Sequence, residues 1–165
     1  MKHIFLFISL FFSVFGSAQN SLDELLKTYN NENIPYISVI ELMEIQEQVH
    51  LFDAREKDEY EVSHIRNAIN IGYTNFEIEI VKKQNIQNND TIVVYCSLGV
   101  RSEDISEKLK EAGFTNVYNL YGGIFEWKNN NYPVINLQGQ LTDKVHAYSK
   151  QWAKWLLKGK KVYSN

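Results

Sequence analysis

Residues 91–109 read TIVVYCSLGVRSEDISEKL. The β-branched and aromatic run Ile92-Val93-Val94-Tyr95 predicts a short buried strand. It delivers Cys96, the sole cysteine of the chain, into a tight turn, and a helical pattern begins at Arg101 or Ser102 that Gly113 would stop. Strand, loop and helix are therefore fused around one thiol. In such a junction the backbone N–H groups of the loop and first helical turn point inward, and the helix dipole adds partial positive charge. A thiolate or an anion held at Cys96 would be stabilised there.

Outward from this stretch, strand and helix signals alternate. Val49 to Ala54, VHLFDA, reads as a buried strand ending in Asp53-Ala54-Arg55. Asp58 to Val62 is a charged helical turn, Ala68 to Ile71 a short strand, and Glu77 to Lys83 a helix with Ile78 and Val81 at helical spacing. Nearer the start, Ser21 caps an acidic first turn, Pro35-Tyr36-Ile37 is a strand candidate, and Ser38 with Glu41 has the spacing of a capping box. Downstream, Asn116 to Leu120 is a strand, Gly122-Gly123 breaks it, Ile124 to Lys128 makes a turn of helix, and Tyr132-Pro133-Val134 is an extended exit. The pattern predicts an α/β domain with an open, mostly parallel five-stranded sheet and helices on both faces. Ligands of such sheets bind outside the carboxyl ends of the strands, which places Asp53 and Cys96 on one rim.

At 44% hydrophobic and 22% charged over 165 residues, the composition is that of a folded globular domain with a real core. Lys2-His3, the apolar run Ile4 to Phe15 and the small residues Gly16-Ser17-Ala18 have the layout of a secretory signal peptide, residues 1–18, cut before Gln19. The run falls short of the about 20 apolar residues that span a bilayer. The expected location is exported, periplasmic or extracellular. In an oxidising compartment a structural cysteine would have a partner, and Cys96 has none in its own chain. Its neighbours Ser97, Gly99 and Ser102 are turn and cap residues, so a reactive thiol is expected.

Charge divides the chain. Residues 139–165 hold six lysines and one aspartate, net +5, whereas residues 19–138 hold ten basic and nineteen acidic residues, net −9. After the cap candidate Thr142, the positions Val145, Tyr148, Trp152, Trp155 and Leu156 recur at three- and four-residue spacing, with Gly159 as a stop. This predicts an amphipathic C-terminal helix that either docks its aromatic face on the domain or touches an anionic membrane surface. An acidic domain is a poor match for nucleic acid. No histidine has metal-ligand spacing, so neither a metal nor a cofactor is expected, and His64 reads as a satisfied loop histidine.

Three segments carry a family likeness. LFDAREKDEYEVSHIRNAINI (Leu51 to Ile71), CSLGVRS (Cys96 to Ser102) and GFTNVYNLYGGIFEW (Gly113 to Trp127), closing with Tyr132-Pro133-Val134, resemble the single-domain rhodanese-like sulfurtransferases. The resemblance implies a rhodanese-like domain at 37–136; with the signal peptide at 1–18, a helical lead-in at 19–36 and the basic C-terminal helix at 137–165, all read from the residues themselves, the chain divides into four parts. The resemblance also implies Cys96 as the catalytic cysteine and Ser97, Leu98, Gly99, Val100 and Arg101, with Ser102, as the anion- and substrate-binding loop. Asp53 and Arg55 are implied to support the rim mainly as a structural ion pair. One run departs from the family pattern of Gly-His-Ile-Pro-Gly-Ala: here it is Ser63-His64-Ile65-Arg66-Asn67-Ala68, an exchange expected to alter the substrate-side surface.

The chemistry can be argued from the loop itself. A thiolate held by N–H donors and a helix N-terminus is nucleophilic near neutral pH. It can attack the outer sulfur of thiosulfate or another sulfane donor, leaving a persulfide on Cys96 that a thiol or cyanide acceptor then discharges. Arg101, the only cation of the loop, either clamps an anionic donor or pairs with Glu103 or Asp104. A cysteine-dependent phosphatase or arsenate reductase is the rival enzyme, but its pattern is Cys-x5-Arg, and only Ser97 to Val100 intervene here. That shorter ring suits one sulfur better than the oxygens of a phosphate. A non-catalytic rhodanese-like binding module is the rival of another class, and the presence of Cys96 and Arg101 argues against it.

Overall fold

In the computed structural model, which describes residues 21–164, the elements alternate along the chain. They are α1 (Leu22–Tyr29), β1 (Tyr36–Ile37), α2 (Val39–Ile45), β2 (His50–Asp53), α3 (Lys57–Val62), β3 (Ile69–Asn70), α4 (Ile78–Lys82) and β4 (Ile92–Tyr95). There follow α5 (Arg101–Glu111), β5 (Val117–Leu120), α6 (Gly123–Asn129), β6 (Val134–Ile135), β7 (Leu141–Thr142), β8 (Lys144–His146) and β9 (Lys160–Val162). The signal peptide expected at residues 1–18 lies outside the described residues.

The first five strands form one sheet in the order β1-β5-β4-β2-β3, with every pairing parallel. A parallel strand covered on both faces reads as a continuous apolar run, and β4 is the example. Val93 and Tyr95 enter a core cluster with Leu42, Leu51, Leu120, Ile124 and Phe125. Ile92 and Val94 enter a second cluster on the opposite face with Phe52, Val81, Ile105 and Leu109. The period of two thus splits one run between α2 and α6 on one face and α4 and α5 on the other. Each of these side chains is fully buried, and burial of that kind contributes about 1.5–3 kcal/mol per large aliphatic residue.

Local signals set the helix starts. Ser21 with Glu24 and Ser38 with Glu41 both form reciprocal capping boxes, each contributing about 1 kcal/mol. The departure at Ser63 to Ala68 leaves the turn intact, because Asn67 adopts the left-handed conformation (φ 65°) that asparagine tolerates. Ser63 is extended, a conformation open to any residue.

The amphipathic helix expected over residues 137–165 is not formed. β7 instead pairs antiparallel with β6, β8 pairs parallel with β9, and a single 3₁₀ turn spans Trp152–Trp155. Thr142 lies in β7, where its hydroxyl accepts the Lys144 N–H at 3.2 Å, so it closes a local turn rather than capping a helix. Tyr148 is left-handed (φ 61°), which no helix accommodates. Burial of Val145, Ala147 and Leu156 against the core, together with the β8–β9 pairing, overrides the helical spacing. The helix on which a membrane contact would depend is thus absent among the described residues.

Candidate functional site

Cys96 leaves the carboxyl end of β4 at the rim of the sheet, next to Asp53 at the end of β2. Its side chain is almost wholly buried. The Gly99 N–H donates to Sγ at 3.1 Å, and the Ser102 hydroxyl lies 3.5 Å away in the first turn of α5. Gly99 turns the loop with φ 113°, a value reserved for glycine, and its carbonyl is held outward by the side-chain amides of Asn30 (2.9 Å) and Asn119 (2.8 Å). The Ser102 hydroxyl also reaches Asn119 Oδ1 at 2.7 Å.

From below, α6 fixes the loop. The N–H groups of Ile124 and Phe125 donate to the carbonyls of Cys96 (2.9 Å) and Ser97 (3.2 Å). This contact explains Gly123: a Cβ there would stand 2.3 Å from the Cys96 carbonyl oxygen.

Arg101 finds neither Glu103 nor Asp104, the partners that one of its two sequence readings offers. It pairs with Glu59 of α3, Nη1 to Oε2 at 2.6 Å and Nη2 to Oε1 at 2.9 Å, and also donates to the Ser97 hydroxyl at 3.1 Å. Glu103 is buried and accepts from Asn119, while Asp104 accepts from the Tyr73 hydroxyl. Neighbouring carboxylates on a helix point along its own surface, whereas α3 presents Glu59 across the loop, and a bidentate fork outcompetes them. The Arg101 guanidinium carbon also lies 4.7 Å from the centre of the Tyr148 ring.

Burial alone would raise the Cys96 thiol, but the Arg101 charge and the donors on Ser102 and Gly99 outweigh it and hold the thiol below its ordinary value. Burial likewise opposes ionisation of Glu59, yet the hydrogen bonds and the charge of Arg101, with the charge of Arg55, keep its carboxyl well below the usual carboxylate range. His146 Nδ1 stands 3.8 Å from Glu59 Oε1.

Asp53 and Arg55 form a bidentate pair with no exposed surface, its shortest contact 2.6 Å, and Arg55 also donates to the Ser63 carbonyl at 2.7 Å. Burial works against the Arg55 charge and Asp53 more than offsets it. The pair lies beneath the rim and adds nothing to the cavity lining. His64 stacks on Tyr60 and its backbone bridges to Ile135, as a satisfied loop histidine. The departing run Ser63 to Ala68 also contributes nothing to the lining.

A cavity of about 110 Å³ opens at the thiol. Cys96, Ser97, Leu98, Val100 and Arg101 form one side, and Tyr148 and Trp152 from the C-terminal segment form the other. Of the predicted loop, Gly99 and Ser102 act on Sγ from behind. The sequence reading missed Glu59, Asn119, Asn30, His146, Tyr148 and Trp152. Asn119 did carry a signal, as a lone polar residue in the strand VYNL.

The family profile described as "Rhodanese-like domain" matches residues 38–130. A thiosulfate sulfurtransferase GlpE from Coxiella burnetii is 32% identical over 97 residues, covering 59% of this chain and 87% of that protein. A tRNA uridine(34) hydroxylase from Aster yellows witches'-broom phytoplasma is 42% identical over 90 residues, covering 52% of this chain but only 29% of that protein. The chain thus spans under a third of that relative's length. Among solved structures, a rhodanese-related protein from Thermoplasma volcanium superposes with a TM-score of 0.53 at 29% identity, over 61% of this chain and 97% of that one. A thiosulfate sulfurtransferase from Pseudomonas aeruginosa, at 22% identity and a TM-score of 0.58 over 74% of this chain and 23% of that one, shares the fold.

Proposed function

Because the chain belongs to the rhodanese-like family, we propose that it is a sulfurtransferase carrying a sulfane sulfur as a persulfide on Cys96. The observation that carries this reading is the setting of the thiol: buried, faced by the Gly99 N–H at 3.1 Å, and lowered chiefly by Arg101 against the cost of burial. Such a thiolate is nucleophilic near neutral pH. It attacks the outer sulfur of the donor, the donor's S–S bond breaks, and the leaving group departs with the bonding pair, as sulfite when the donor is thiosulfate. The new Cys96 persulfide keeps a terminal sulfur in the same cradle until an acceptor thiolate or cyanide attacks it and restores the Cys96 thiolate.

The phosphatase reading is disfavoured by Arg101. A guanidinium that must clamp a phosphoryl group is here already bound bidentately to Glu59. Intact mass after incubation with thiosulfate or an organic persulfide, followed by cyanide, tests the proposal. The expected result is a gain of one sulfur that cyanide removes and that Cys96→Ser abolishes. Absence of that gain with every donor sinks it, and a phosphate ester assayed in parallel separates the phosphatase. Export belongs to the same proposal and is supported by the apolar run Ile4 to Phe15. N-terminal sequencing of the exported form is expected to begin at Gln19.

A further inference from the structure

The C-terminal segment lies beyond the residues that the family profile matches, yet it supplies one side of the cavity at Cys96. It is firmly built in. Ala147 donates to the Val162 carbonyl at 2.8 Å, Ser164 donates to His146 at 2.9 Å, and the Ser164 hydroxyl bonds Asp58 on α3. Asp143 pairs with Lys128 of α6, and the Asn129 amide donates to the Trp155 carbonyl at 2.9 Å. Trp152 packs its ring on Tyr29 of α1, with centroids 5.7 Å apart.

Two features of this strap bear on what enters the site. Tyr148 is bulky and held in the left-handed region, a conformation that persists only where the surroundings impose it, and this sets its ring over Arg101. Among the described residues, Arg101 is the only cation in the cavity lining, and its charge is already neutralised by Glu59. Once the thiol ionises, the site carries no surplus positive charge. Beyond Cys96 and Ser97, whose hydroxyl is engaged by Arg101 and Glu59, the remaining lining, Leu98, Val100, Tyr148 and Trp152, is largely apolar and aromatic. A dianion that enters must shed water without gaining a free cation, whereas a slender apolar group loses nothing.

We propose that the strap sets donor specificity: Tyr148 and Trp152 select a sulfane sulfur borne on a small apolar organic group, an alkyl or aryl hydropersulfide, over the thiosulfate dianion. This rests on the persulfide chemistry proposed above. The Cys96 thiolate attacks the terminal sulfur of R–S–SH; the donor S–S bond breaks, a new S–S bond forms to Cys96, and R–S⁻ leaves with the bonding pair. The proton stays on the transferred sulfur, and no oxidant or reductant is consumed.

The test is single-turnover loading of Cys96 in the chain from Gln19 onward, followed by intact mass, with benzyl hydropersulfide and with thiosulfate. The wild-type second-order rate constant is expected to favour the hydropersulfide by about tenfold or more, and Tyr148→Gly and Trp152→Leu, singly and together, to shrink that ratio about tenfold. Glycine suits the left-handed backbone at 148, so loss of the ring is separated from loss of the strap, and thermal melting verifies the fold of each variant. Leu157→Ser, exposed on the same strap and outside the lining, keeps the wild-type ratio. A wild-type preference for thiosulfate, or an unchanged ratio in the folded double variant, overturns the inference while leaving sulfur transfer standing. No cyanide-labile sulfur on Cys96 from either donor overturns the persulfide chemistry itself.

Discussion

Arg55 pairs with Asp53 two residues away, and neither side chain has any exposed surface; Arg101 pairs with Glu59 across 42 residues and keeps 12% of its side chain exposed. The ions and the bidentate geometry are alike. The first pair is closed within one turn after β2, where Arg55 also holds the Ser63 carbonyl and lies over Tyr95. The second joins α3 to α5, and its open face meets Tyr148 and the cavity. What separates the pair that fastens the fold from the pair that tunes a nucleophile is reach: the Arg101 charge acts directly on the Cys96 thiol, whereas the Arg55 charge is taken up chiefly by Asp53 beneath the rim.

Asp53→Ala carries the largest expected effect and strikes only the buried pair. It strands the Arg55 charge, and removing one partner of a buried pair costs about 3–5 kcal/mol. Urea unfolding is expected to report that loss, while alkylation of Cys96 in the folded fraction keeps its wild-type pH dependence. A slowed, alkaline-shifted alkylation would erase the distinction between the pairs.

Glu59→Gln strikes the second pair and is expected to cost about 1.5–3 kcal/mol, since the amide oxygen still accepts from one Arg101 N–H while its NH2 faces the other as a donor and the charge is lost. The sign with pH is definite. The Glu59 carboxyl lies below its unfolded value, so its contribution is fully present above the unfolded carboxylate pKa, about 4.3, and fades as pH falls below it. The variant should therefore lose less stability than wild type on acidification. It also unmasks Arg101, so the Cys96 thiol should drop further and thiosulfate loading should improve.

Arg101→Ala pushes the thiol the other way. With the guanidinium gone, burial prevails and the Cys96 pKa rises. Less of the thiol is then ionised below neutrality, and alkylation there should slow about tenfold or more. The wild-type thiol is lowered on folding, so wild-type stability grows as pH rises from the folded-state thiol pKa to the unfolded value, about 8.5. That rise should vanish in Arg101→Ala. An alkylation profile that stays in place would remove Arg101 from the tuning of Cys96.

The sheet was legible in the sequence because its signals are local: the apolar run of β4, the serine caps of α1 and α2, and the glycine breaks at 113 and 123. Cys96 and its loop were legible for the same reason. Glu59 was not, since nothing in the turn DEYEV distinguishes the glutamate that folds across to Arg101 from the solvent-facing Glu61. The C-terminal segment misled because Val145, Tyr148, Trp152 and Leu156 satisfy a helical spacing that the β8–β9 pairing and the left-handed Tyr148 then overrule.

Ser102→Ala is the finest probe of the comparison, for it removes a donor to Cys96 without touching either ion pair. The hydroxyl has one proton and two claimants, Asn119 Oδ1 at 2.7 Å and Cys96 Sγ at 3.5 Å. The shorter bond holds the proton toward Asn119, so Sγ gains from it only a part of an ordinary hydrogen bond. The Gly99 N–H, at 3.1 Å and fixed by backbone, is the stronger donor and is retained. The expected rise in thiol pKa is therefore smaller than that of Arg101→Ala, equivalent to about 0.5 kcal/mol. Alkylation rates across pH measure it, and a displacement matching that of Arg101→Ala would mean that the hydroxyl turns to the thiolate and that charge is not the dominant control.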